Sequence, residues 1–249
     1  MTRGMIGITL TLFCASGQPG DETKLDRARR VNLAYAGSMP SYVADEIAKR
    51  YTSGPKSSKW QILDTVETEI TIEGTRAVRR QIRRNGKPWD QAFDALPGFR
   101  WYGGFGTEIR PVFDPACATT LEYQGRAEVR GNRLMRFLFT APADGCFAVL
   151  FMNGRQANPA RLGHVFIDEA TGNVMQYEEE ANDLPTDFGM AQRTEQVSWA
   201  NVRIGDATHL LPVAASFMVR YATGARARIE VEFRNHRHFE ASSQIAFPK

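Results

Sequence analysis

The chain has 249 residues, with Lys+Arg 31 against Asp+Glu 28 and a net charge of +3. A hydrophobic share of 43% and a charged share of 24% exclude disordered, collagenous and coiled-coil classes and leave room for a substantial core. So small a charge gives no whole-chain field of the kind nucleic-acid binders use, and no run reaches the roughly 18 apolar residues of a membrane-spanning helix.

At the N-terminus, Arg3 precedes an uncharged stretch from Met5 to Phe13, and Cys14-Ala15-Ser16-Gly17 follows. A basic start, a short apolar centre and small residues at a cleavage point form a secretory leader over residues 1–17. The mature domain is then residues 18–249, in the periplasm or secreted. Ile6, Ile8, Leu10 and Leu12 also alternate as a first strand would, but a polar, turn-rich stretch and then a helix come next. Lipid anchoring at Cys14 is a minority variant, because Phe13 stands where that cleavage needs a small side chain. With Cys14 removed, Cys117 and Cys146 form the one remaining pair. They are either a disulfide, which an oxidising compartment permits, or two small buried hydrophobes.

Residues 22–51 have helical spacing, with Leu25, Ala28, Val31 and Tyr35, then Tyr42, Val43, Ile47 and Ala48. Pro40 interrupts them, giving two helical pieces or one helix followed by an extended entry. From Trp60 the period becomes two: Ile62, Val66, Ile70 and Ile72 fall on one face, and Glu67, Glu69 and Glu73 on the other. Gly74 turns the chain, and Asn85-Gly86 ends the returning strand. That strand carries Arg76, Arg79, Arg80, Arg83 and Arg84, spaced so that a basic helix is the rival reading. A hairpin pairing Ile70 with Val78 and Val66 with Ile82 puts Glu69 opposite Arg79 and makes the charges a solvated face. Arg76, Arg80 and Arg84 are the candidate partner-binding residues.

Residues 94–106 are irregular and aromatic, with Phe99, Trp101, Tyr102 and Phe105 among prolines and glycines. They form either a flap over an apolar cavity or a loop tucked onto the core by its rings. These four are the candidate ligand-binding residues. A short helix from Gly106 to Phe113 follows, and then strand upon strand: 119–130, 133–141, 146–152, 162–168, 173–181, 193–202, 211–221 and 227–233. The class is α+β, mainly β, with a curled antiparallel sheet, open or half-barrel, packed on an N-terminal helix.

Chemistry-bearing motifs are sparse. No G-x-S-x-G elbow, P-loop or dinucleotide turn occurs, and Asp187-Phe188-Gly189 lacks the companions of a kinase site. His236 and His238, with Glu230 and Glu232, share one strand face and offer a metal-ligand set, against the simpler reading that this face is wet. Glu178-Glu179-Glu180 alternates across a strand, so its carboxylates do not face one another, and at most one turns inward at a mouth. No residue set calls for a cofactor.

Residues 165–174, Val-Phe-Ile-Asp-Glu-Ala-Thr-Gly-Asn-Val, resemble a strand–turn–strand of the LolA/LolB-type lipoprotein-carrier superfamily. Asp183-Leu184-Pro185-Thr186-Asp187-Phe188, Ile204-Gly205-Asp206, Leu210-Leu211-Pro212 and Glu232-Phe233-Arg234-Asn235 resemble a set of uncharacterised secreted bacterial proteins. The resemblance implies an unclosed barrel wrapped on helices, with a hollow for acyl chains or a partner segment and no catalytic residues. The leading expectation is therefore an exported, non-catalytic binder of a lipid, lipoprotein or other apolar partner, with peripheral membrane contact as an option. An envelope protein-interaction or sensing module, and a metal-dependent enzyme using His236 and His238 with Glu232, are the alternatives.

Overall fold

The computed structural model describes residues 23–239 apart from 75 and 153, so the expected leader over residues 1–17, with Cys14, lies outside the described residues. The first helix, α1 (Lys24–Ser38), starts where the Thr23 hydroxyl accepts the Asp26 N–H at 3.1 Å. It stops before Pro40, whose ring disfavours helix at Met39. The second helical piece does not form. Residues after Pro40 make β1 (Tyr42–Ser53), and its burial alternates. Tyr42, Ala44, Glu46, Ala48 and Arg50 point inward, and the two charges among them hide the period of two from a hydropathy reading. Pairing with strands on both sides overrides the local helical spacing.

β2 (Gln61–Glu73) and β3 (Arg76–Arg84) form the expected hairpin rather than a basic helix. Its register differs by one residue: Ile70 faces Arg79, and Glu69 faces Arg80. Because one step moves a side chain to the opposite face, Arg79 enters the core instead of solvent. An irregularity between Glu67 and Glu69, opposite Gln81 with φ +50°, then brings Arg84 inward as well. The solvated-face reading holds for Arg76, Arg80 and Arg83, but not for Arg79 and Arg84.

After β4 (Lys87–Pro88) and the aromatic loop come α2 (Ile109–Phe113), β5 (Thr120–Val129) and β6 (Asn132–Ala141). The expected strand over 146–152 is only β7 (Leu150–Met152). It pairs with β8 (Arg155–Ala157) in a hairpin outside the main sheet. The remaining strands are β9 (Arg161–Ile167), β10 (Val174–Ala181), β11 (Met190–Ile204), β12 (Ala207–Tyr221) and β13 (Arg226–His238).

The main sheet runs β4-β3-β2-β1-β13-β12-β11-β10-β9-β6-β5, antiparallel throughout, with β4 and β5 as its unclosed ends. The curled sheet holds the core on its inner face. Val66, Ala48, Val231, Ala215, Val197, Tyr177, Val165 and Phe137 follow one another from strand to strand. Helix α2 inserts Ile109, Val112 and Phe113 into that core. Helix α1 adds Ala28 and is clamped by Asn32. The Asn32 amide donates to the Gly172 carbonyl at 2.8 Å, and its oxygen accepts the Val174 N–H at 3.0 Å. The turn between β9 and β10 is thereby fastened to the helix.

Candidate ligand-binding cavity

The aromatic loop is fixed by charges on β1. Arg50 grips Asp64 through Nε at 2.6 Å and Nη2 at 2.5 Å, and its Nη1 donates to the Pro97 and Phe99 carbonyls at 2.8 and 3.2 Å. Arg84 adds a third donor to Asp64 at 2.6 Å. Four residues earlier on the same face of β1, Glu46 accepts from Thr68, from Arg79 through two nitrogens, and from the Trp101 indole N–H at 2.8 Å. The Arg79 guanidinium lies 4.2 Å from the Phe93 ring centre and covers Trp101 and Phe105 as well. The Glu108 carboxylate accepts the Gly104 and Gly106 N–H groups at 2.9 and 3.0 Å. Of the two sequence readings of this loop, the structure shows the tucked one.

Beside the pinned loop lies a cavity of about 700 Å³, within the size range of small-molecule sites. One wall is the loop itself, through Phe99, Trp101 and Tyr102, and the opposite wall is residues 146–152. A disulfide from Cys117, just past α2, to Cys146 anchors that second wall, with the Cα atoms 5.3 Å apart. Phe147 stacks on Phe139 at 5.9 Å, and Phe139 stacks in turn on Tyr177 at 5.6 Å. Gly163 makes this stack possible, since a Cβ there would overlap the Phe139 ring and the Glu178 carbonyl. Met190, Phe217 and Tyr221 complete the apolar lining, while Tyr102 and Phe151 stand 60% and 68% exposed.

The floor is charged. Arg161, Glu179, Arg193 and Glu195 project from β9, β10 and β11 onto the inner face. Arg193 pairs with both carboxylates, and the Tyr177 hydroxyl donates to Glu179 at 2.6 Å. Arg161 braces the second wall, donating to the Ala148 and Pro159 carbonyls at 3.1 and 2.7 Å. Its Nε, 3.5 Å from Glu179, makes no hydrogen bond, and Glu195 Oε1 is unpartnered too. Burial raises the Glu195 carboxyl to about 8; Arg193 opposes the rise, and Glu108 and Glu179 add to it. Burial likewise pushes the Tyr177 hydroxyl well above the ordinary tyrosine range.

Of the four aromatic candidates, Phe99, Trp101 and Tyr102 line the cavity. Phe105 instead packs edge-on against Phe233 inside the core, at 5.9 Å, and is 4% exposed. Arg76 and Arg80 are exposed on β3, whereas Arg84 turns to Asp64. The histidine set is not assembled. Asn235, with φ +52°, reverses the alternation, and His236 packs on Tyr42 and bonds the Pro212 carbonyl at 3.0 Å. Glu232 pairs with Arg234 on the other face, and no group of three or more His, Cys, Asp or Glu suited to a metal occurs among the described residues. Glu179 is the inward member of the acidic triplet. Arg161, Arg193 and Glu195 were not singled out by sequence reasoning, although the spacing of Arg193, Glu195 and Val197 along one strand face was available to it.

No protein-family model matches the sequence, and no curated protein does. Among solved structures, the chain is similar to a DUF1329 family protein from Desulfovibrio piger, at 10% identity and a TM-score of 0.41, over 88% of this chain and 93% of that one. It is similar to an outer-membrane lipoprotein-sorting protein domain from Vibrio parahaemolyticus at 10% identity and a TM-score of 0.39, over 88% and 94%. A LolA superfamily protein from Nitrosomonas europaea aligns at 7% identity and a TM-score of 0.33, over 88% and 93%. The lipoprotein-carrier resemblance seen in the sequence is among these likenesses, which concern the fold alone.

Proposed function

We propose that this protein is an exported, non-catalytic binding protein that takes a lipid, a lipoprotein acyl chain or another apolar molecule into the cavity between the aromatic loop and residues 146–152. The observation that carries the reading is the cavity itself: about 700 Å³, mainly apolar, inside an unclosed sheet, with exposed Tyr102 and Phe151 beside it. The Cys117–Cys146 bridge agrees with an oxidising compartment. No helix of the described residues is long and apolar enough to cross a membrane, which suits a carrier that meets membranes at their surface. Native mass spectrometry of protein recovered from its own host should show a co-purifying lipid. Protein that is empty in every preparation, and that takes up no apolar fluorophore, would sink the proposal.

A second reading rests on the edge of the sheet. β4 and the Trp89 N–H bond β3 only from Ile82 to Arg84, so the first part of β3, with exposed Arg76 and Arg80, has no further strand beside it among the described residues. An envelope protein with an acidic extended segment would fit there by strand addition. Arginines on an edge also discourage such pairing. A crosslinking experiment at Arg80→Cys that captures no partner would count against this reading.

A further inference from the structure

We infer that the cavity takes its ligand head-first: a single acyl chain whose carboxyl or ester carbonyl sits on the floor at Arg161 and Glu195, with the hydrocarbon running between Phe147 and Tyr102 toward Phe151. The inference rests on the binding proposal above and specifies its ligand class. An apolar cavity needs no polar floor to hold hydrocarbon, and burying charged groups without full pairing is costly. Yet two floor residues, 2% and 4% exposed, each keep an atom without a hydrogen bond: Arg161 Nε, a donor, and Glu195 Oε1.

The other buried charges on the inner face do not behave this way. The carboxylates of Asp64 and Glu46 are saturated, accepting three and four hydrogen bonds. Unpartnered side-chain atoms also occur at Tyr42, Arg136, Asn158, Trp199 and Arg228, but among the buried charged side chains they fall at Arg161 and Glu195. Gly103 adds a second observation. Its backbone packs against both carboxylates: a Cβ there would lie 3.2 Å from Glu195 Oε1 and 3.0 Å from Glu108 Oε1, closer than an ordinary contact, so the loop reaches the floor only with glycine at this position. The groups facing Glu195 are Arg193 on its own strand, Glu179 across on β10, Glu108 before α2, and Arg161 on β9. Protonated, Glu195 becomes a second donor beside Arg161, and two donors suit one carbonyl or carboxyl oxygen. An acyl carboxyl and an acyl ester share that acceptor; an alkylamine does not.

The test uses the purified, delipidated chain loaded with the apolar fluorophore N-phenyl-1-naphthylamine and displaced by dodecanoate, glycerol monododecanoate or dodecylamine. A hydrogen bond to a charged group contributes about 1.5–3 kcal/mol, so the better acyl competitor should act at about tenfold lower concentration than the amine. Which acyl probe wins separates a free acid from an ester. In Arg161→Met and Glu195→Leu that preference should fall to about twofold or less, while the fluorophore still binds. If either variant fails to fold, Glu195→Gln decides: acyl affinity weakens from pH 7 to 9 in the native chain and stays flat in the variant. Fluorophore uptake with equal displacement by all three amphiphiles, or a preference and pH response that survive the substitutions, overturns the head-first inference and leaves the cavity reading standing. No fluorophore uptake overturns both.

Discussion

Two charge clusters sit on the same concave face, and they differ in one respect. Near β1–β3, Glu46, Asp64, Arg50, Arg79 and Arg84 are closed on one another, on Thr68 and Trp101, and on the loop carbonyls. Near β9–β11, Arg161, Glu179, Arg193 and Glu195 are paired but incomplete, and they border a cavity. Both clusters cost desolvation. Only the first recovers it within the chain, by fastening the loop that walls the cavity. The first cluster fastens a wall of the cavity, and the second lines its floor with its hydrogen bonding incomplete.

The sharpest way to break this contrast is Arg50→Met. It leaves Asp64 with Arg84 as its remaining cation and frees the loop carbonyls, so urea unfolding should show a loss of about 3 kcal/mol. Arg161→Met removes a residue whose pairing is already incomplete and should cost clearly less. Equal costs would erase the distinction between the clusters. Removing the bridge with Cys117→Ser and Cys146→Ser should cost about 3.5 kcal/mol by chain entropy, given a sequence separation of 29, and should lower fluorophore affinity by releasing the second wall.

The two clusters should also respond to pH with opposite signs. Burial opposes ionisation of Asp64, but hydrogen bonds from Arg50 and Arg84 outweigh it and hold the carboxyl below its ordinary value. Its contribution is complete above about pH 3.9, the unfolded value, and is lost as pH falls through the folded one. Glu195, raised to about 8, binds a proton on folding. Its contribution is complete below about pH 4.3 and is lost as pH rises through 8. A thermal melt series should therefore show Tm falling from pH 5 to 8.5 in the native chain, and Glu195→Gln should remove most of that slope. The smallest stability effect is expected at the rim. Phe151→Ser, at a side chain 68% exposed, should change unfolding free energy by no more than about 0.5 kcal/mol while weakening fluorophore uptake.

Much of the layout was legible. Pro40 marked the end of α1, Asn85-Gly86 marked a turn, and the alternation of Val66, Ile70 and Ile72 gave the inner face of β2. The aromatic segment was legible in composition both as a flap and as a loop tucked by its rings; the charges that pin it, Arg50 and Glu46, were not, because they lie about 50 residues upstream. The misreadings share a cause. The helical spacing ran on into β1 because its inward positions include charges, although Pro40 kept an extended entry open as the second reading, and residues 146–149 read as strand because an apolar run does not reveal the disulfide at its head. His236 was placed on the wrong face because one residue at positive φ reverses the alternation beyond it.

By itself, the sequence determined the class of fold, the hairpin with its basic strand, and the aromatic stretch beside the cavity. Those follow from local periodicity, turn residues and composition, which act over a few residues. Only the tertiary structure decided which charges turn inward and which of them remain incompletely bonded. That choice depends on a one-residue register and on partners distant in the chain: Arg79 reaches Glu46, and Arg161 meets Glu179, only after the sheet has paired.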